Sequence, residues 1–132
     1  MENKICFVNS KEMEKIKKLF SNEDSMFCVE INGKNIQKLS EYLFIMSRVF
    51  KFPYPSVNLD GYNDWMTDLD WLEKDEYILI ISNFTEFMKD DLDMKNQIIK
   101  DFKEDILPWW QGEVEQYMVG GKAKPFHVYL VD

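Results

Sequence analysis

The run Tyr77-Ile78-Leu79-Ile80-Ile81 constrains this chain more than any other stretch. It is apolar at every position and rich in β-branched residues. Its length is that of a strand and far short of a bilayer-spanning helix. A strand that alternates apolar and polar residues buries one face, whereas one that is apolar throughout has to be covered on both. The chain therefore needs a sheet with this strand at its centre and helices to cover it.

The rest of the sequence supplies those parts. Met26 to Ile31 reads as a strand ending at Asn32-Gly33. Helical spacing follows: Ile36, Leu39, Leu43, Met46 and Phe50 share a face, widened by Tyr42, Ile45 and Val49. Pro53 and Pro55 end that helix and stiffen the loop from Lys51 to Val57. Asn58 is a good N-cap for a short helix that buries Leu59, Tyr62, Met66 and Leu69. Ser82 to Asp91 reads as a connection anchored by Phe84 and Phe87. Asp93 to Leu107 is expected to be helical, with Pro108 starting or kinking a further turn. Glu113 to Met118 is compatible with helix, stopped by Gly120-Gly121. Phe126 to Val131 is a last strand. The order β-α-α-β-α-β, with helical connections, permits parallel strands joined by right-handed crossovers. An α/β fold is expected, with a three-stranded parallel sheet packed against helices. Residues 1–25 read as an N-terminal extension: Ile5 to Val8 is compatible with a short edge strand. Ser10 is a candidate cap for a helix carrying Met13, Ile16, Lys17, Leu19 and Phe20, and 21–25 reads as a loop.

At 132 residues the chain fits one domain with one core. The first residues lack the basic start and apolar run of a signal peptide, so a cytoplasmic protein is expected. Cys6 and Cys28 each sit in an apolar run and read as buried, reduced thiols; a disulfide between them is the alternative. The formal net charge of −8 argues against direct nucleic-acid binding and for a basic partner. Much of it is local: Asp60, Asp64, Asp68, Asp70, Glu73, Asp75 and Glu76 face one cation, Lys74.

Asp60, Asp64 and Asp68 recur at four-residue intervals, which would line them along one helix face. Like charges at that spacing destabilise a helix by roughly 0.2–0.5 kcal/mol per pair. Stability alone does not select such a row, although a merely solvated face of an acidic protein would look the same. A calcium loop does not account for it, because Gly61 falls at position four counted from Asn58 and the EF-hand needs glycine at six. No metal or other cofactor is expected. A carboxylate-pair hydrolase does not account for it either, since a helix surface lacks a pocket to raise one carboxyl. His127 lies in a strand pattern and reads as structural. No nucleophile motif or phosphate-binding glycine loop is present, and no enzyme activity is expected.

The string from Phe52-Pro53-Tyr54 through Asn58-Leu59-Asp60 and Asp64 to Asp68-Leu69-Asp70-Trp71 resembles the barstar family. That family has a loop bearing proline and tyrosine, then Asn-x-Asp, a second Asp four residues on, and a Leu-Asp-Trp-like end. Glu30 to Gly33, Tyr77 to Asn83 and Pro125 to Leu130 resemble its strands, so the likeness spans about residues 26–132. It implies an inhibitor of a basic ribonuclease or toxin nuclease whose acidic helix and preceding loop enter the enzyme's active site. Tyr54, Asp60 and Asp64 take the places of the loop tyrosine and the two helix aspartates. Asn58, Asn63 and Asp68 lie on the same segment. Glu113 and Glu115 are candidates for a later acidic contact. The chain departs from the family pattern in a loop one residue shorter, in Ser56-Val57 where a glycine is usual, in Gly61 for alanine, and in Asn63 for an aromatic. These changes bear on the partner more than on the fold. The alternative is a protein of the same fold that binds another basic partner without inhibiting a ribonuclease.

Overall fold

A computed structural model describes residues 2–20 and 24–132. Four parallel strands form one sheet in the order β1-β4-β3-β2: β1 is Ile5–Val8, β2 Met26–Asn32, β3 Glu76–Ser82 and β4 Phe126–Val131. The helices are α1 (Ser10–Leu19), α2 (Leu39–Val49), α3 (Leu59–Met66), α4 (Leu92–Asp101) and α5 (Val114–Tyr117). Among the described residues no helix is long and apolar enough to cross a membrane.

The centre of the sheet is as expected, with Tyr77 to Ile81 buried at every position. Tyr77, Leu79 and Ile81 point into the main core with Phe126, Val128 and Leu130, under α2, α3 and the helical region after Leu92. Ile78 and Ile80 point the other way and pack with Met13 of α1 and Val131. Burying a side chain of this size contributes roughly 1.5–3 kcal/mol. The strand order explains why both faces are covered. The chain crosses the sheet from β1 to β2 and then steps back through β3 to β4. Reversing direction while keeping right-handed crossovers moves the connecting helices to the opposite face.

The sheet has four strands rather than three, because Ile5–Val8 pairs with β4, Ile5 opposite Val128 and Val8 opposite Val131. Without β1, the outer edge of β4 would present unpaired backbone groups. Asn3 ties the start of β1 down: its Oδ1 accepts from Phe126 N–H at 3.0 Å and its Nδ2 donates to the Lys124 carbonyl at 3.1 Å.

Other expectations shift locally. Asn9, not Ser10, caps α1, in a reciprocal capping box with Glu12. Leu19, expected on the apolar stripe of α1, is exposed, since the sheet ends beneath Met13, Ile16 and Phe20. Cys28 is exposed and Cys6 half-buried, and both are free thiols. Cys28 lies on edge strand β2, while α1 packs over Ile78 and Ile80 of the inner strand. Ile36 is buried but precedes α2, behind a 3-10 turn at Gly33–Asn35. That turn passes so close to the chain after β3 that a Cβ on Gly33 would lie 2.5 Å from the Asn83 carbonyl oxygen. Pro108, expected to start or kink a further turn, lies within continuous helix. Helix runs from Leu92 to Tyr117, with π-helical segments at Phe102–Ile106 and Trp109–Glu113 on either side of it. Proline lacks the N–H that closes an α-turn, and wide turns carry the helix past it. The expected loop at 21–25 lies largely outside the described residues; Asp24 and Ser25 form a turn.

Candidate functional site

Helix α3 is short, and its position is set by contacts on its inner side. Asn58 caps it, with Oδ1 accepting from the Gly61 N–H at 2.8 Å. Asp60 lies in the first turn, where the helix dipole favours a carboxylate. Tyr62 and Met66 are fully buried, and the Tyr62 and Tyr42 hydroxyls share a buried hydrogen bond of 2.6 Å that ties α3 to α2. Burial raises both phenols well above their ordinary range, so they stay neutral. At the other end, the Trp110 indole N–H donates to the Met66 carbonyl at 2.9 Å. Trp71 donates in the same way to the Phe50 carbonyl at 2.9 Å.

The preceding loop is held as firmly. Phe52 packs against Tyr62, Trp65 and Trp71, with ring centroids 6.0–6.5 Å apart. Ser56 is buried and its N–H donates to Ser47 Oγ at 3.1 Å. Pro53, Tyr54, Pro55 and Val57 face solvent, and Tyr54 is 72% exposed.

The outer side of α3 carries the expected aspartates, in an altered arrangement. Asp60 and Asp64 are exposed on the helix. Asp68 is not on it. The helix ends at Met66, Thr67 turns its hydroxyl back onto the Asn63 carbonyl at 2.8 Å, and Leu69 adopts a left-handed conformation (φ 55°). The expected row of three is therefore a pair on the helix and a third in a turn. The buried contact of Leu69 outweighs continuation of the helix. Asn63, expected with the aspartates, is half-buried, and its shielded Oδ1 has no hydrogen-bond partner among the described residues.

Asp64 and Asp68 line one wall of a groove of about 460 Å3, opposite Trp109, Val114 and Met118. Tyr54, Asn58, Asp60, Glu113 and Glu115 lie outside it. Glu113 and Glu115 are exposed, and Glu115 accepts from the Ala123 N–H at 3.2 Å, so it is partly used in holding the loop after α5. The anchors Trp71 and Trp110 carried no sequence signal of this role, because an indole bonded to a distant carbonyl leaves no local pattern, and the Tyr42–Tyr62 hydroxyl bond joins residues twenty apart. Among the described residues no group of three or more His, Cys, Asp or Glu could hold a metal ion. His127 is half-buried on β4, where burial holds its imidazole below the ordinary 6.5.

Desolvation, the largest influence on Asp68, raises its carboxyl above the ordinary 3.8, against an opposing hydrogen bond from the Asp70 N–H. A raised carboxyl means that the charged form is disfavoured in the folded chain. Asp68→Asn keeps an acceptor for Asp70 and should raise the melting temperature at neutral pH. The gain should shrink as pH falls through the raised value towards 3.8, where the unfolded chain also protonates. Thermal melts across that range test this; an advantage independent of pH would refute it.

A family model described as Barstar (barnase inhibitor) matches residues 26–131. No curated protein and no solved structure matches the chain.

Proposed function

The chain belongs to the barstar (barnase inhibitor) family, and from that membership we propose that it inhibits a basic ribonuclease or toxin nuclease by lodging α3 and the preceding loop in the enzyme's active site. The observation that carries this reading is the pairing of two exposed carboxylates, Asp60 and Asp64, with a helix fixed from beneath by buried bonds. A ribonuclease gathers cations around a phosphate. A carboxylate on a rigid support can take the phosphate's place and accept the same charge-assisted hydrogen bonds. The anchored proline loop presents Tyr54 with little ordering left to lose on docking. Asn58 keeps α3 in place, Asp68 adds negative charge at the groove, and Glu113 or Glu115 supplies a further acidic contact. On this reading the protein catalyses nothing and needs no cofactor.

One observation favours a second reading. Asn63, where the resemblance leads one to expect an aromatic, is half-buried rather than presented with the aspartates. A chain of this fold altered in its contact surface would bind a different basic protein. Ribonuclease assays separate the two, with barnase as probe and with any nuclease encoded beside this chain. Protection of RNA supports inhibition, and binding of a basic protein without protection supports the alternative.

In either case the acidic surface should steer the encounter. The on-rate should fall steeply as salt rises, while the off-rate changes less. Stopped-flow binding across a salt series checks this, and a flat on-rate would reduce the aspartates to a solvated face.

A further inference from the structure

We propose that the open edge of β1 is a self-association surface, on which a second copy of this chain adds its own β1 in antiparallel register. The backbone pattern comes first. Val128 N–H donates to the Lys4 carbonyl and Asp132 N–H to the Val8 carbonyl, each at 3.2 Å. In a parallel ladder the bonded residues alternate, so Lys4, Cys6 and Val8 face β4. The N–H and C=O of Ile5 and Phe7 then point away from the sheet, and among the described residues no strand lies beyond them.

The side chains distinguish this edge from the other one. Phe7 is 71% exposed. Beside it runs a groove of about 680 Å3 between β1 and the helix, with Ile5, Phe7, Ile99, Leu107 and Pro108 in its walls. The outer edge of β2 instead exposes Cys28, Glu30 and Asn32, and an ion pair between Glu30 and Lys17 guards it.

The four residues of β1 are self-complementary about Cys6. A two-fold axis through that position sets Ile5 opposite Phe7 of the other copy, twice, so all four outward-pointing residues exchange backbone bonds. Ile5 packs against the main core, which puts Phe7 on the same face of the sheet. The ring of each Phe7 therefore arrives beside the other copy's Ile5, over its groove. The same register brings Lys4 level with Val8 and Asn9 of the second copy. There the Glu12 carboxylate is held, 3.3 Å from the Asn9 nitrogen. Lys4 and α1 lie towards the same face, so opposite charges meet.

The register also supplies its own reporter. The two Cys6 residues face each other as a non-hydrogen-bonded pair, with Cα atoms about 4.5 Å apart. That falls within the range of about 4.4–6.8 Å that a disulfide spans. Oxidised glutathione is the probe: one Cys6 thiolate attacks it to give a mixed disulfide and one glutathione. The second Cys6 thiolate then displaces the other glutathione, so both electrons end on glutathione.

Sedimentation velocity over a concentration series should show monomer passing to dimer. Glutathione disulfide should crosslink the Cys28→Ser chain and leave Cys6→Ser uncrosslinked. Phe7→Glu should stay folded, with a small drop in melting temperature from the lost Phe84 ring contact, and lower dimer affinity by at least about tenfold, from apolar burial lost twice per dimer. A chain that stays monomeric at every concentration would overturn the proposal. So would crosslinking through Cys28, which would move the contact to β2, or a Phe7→Glu chain that dimerises as well as the parent. No residue of α3 lines this groove, so the outcome is independent of nuclease binding.

Discussion

Asp64→Ala is expected to weaken nuclease binding by roughly 2–5 kcal/mol or more, a scale drawn from this family's own complexes rather than deduced from this fold. The loss arises because truncation leaves the enzyme's cations buried in the complex without a counter-charge. Stability should move the other way. Asp64 is exposed on α3, and alanine is the better helix former. Like-charge repulsion with Asp60, one turn away, is also relieved. Asp60→Ala should follow the same pattern with a smaller binding loss, because Asp60 lies outside the groove that Asp64 lines. It should also gain less stability, since its carboxylate is favoured by the dipole of the first turn. Denaturant melts paired with titration against the nuclease test both variants. Unchanged binding in both would put the interface elsewhere, and loss of binding through unfolding would make the aspartates structural.

Trp110→Ala should cost about 3–5 kcal/mol of stability, the range for removing a buried aromatic ring. Trp110 is buried, its ring packs against Tyr77 at 5.3 Å, and its N–H holds the last carbonyl of α3. The informative comparison is Trp110→Phe. It keeps most of the ring and removes only the donor to Met66, which should cost about 1–3 kcal/mol. Because that bond fixes the C-terminal end of α3, Trp110→Phe should also weaken nuclease binding without touching the nuclease. Chemical denaturation and titration of both variants read the two effects. If the phenylalanine chain matches the parent in both, the indole N–H does not position the helix.

These two experiments probe parts of the molecule that differ in how far the sequence reveals them. The central strand is legible from Tyr77 to Ile81 alone, because an uninterrupted apolar run requires two covered faces. Helix α2 and the inner stripe of α3 are legible for a related reason: Tyr42, Leu43, Met46, Tyr62 and Met66 repeat with the helical period and are buried as it implies. The pairing of Asn58 with Asp60 and Asp64 is legible as a cap followed by charges one turn apart. All of these are local features, in which the spacing of residue types along the chain states the physical requirement.

What lay beyond the sequence depends on partners distant along it. Ile5–Val8 reads as a short edge strand, but only the open edge of β4 made it part of this sheet, and that pairing turned three strands into four. Asp68 shares the spacing of Asp60 and Asp64, yet it leaves the helix because Leu69 is drawn into the core through a left-handed turn. Helix continues past Pro108, where proline chemistry alone would allow a break, because Ile106, Leu107 and Trp110 are held in the core on either side of it. The sequence by itself determined the buried central strand and the buried stripes of α2 and α3, since periodicity and apolar content are properties of the chain. Tertiary structure alone decided how many strands paired, where α3 ended and which carbonyl Trp110 would hold. Those outcomes depend on hydrogen bonds and packing between segments that meet only after the chain has folded.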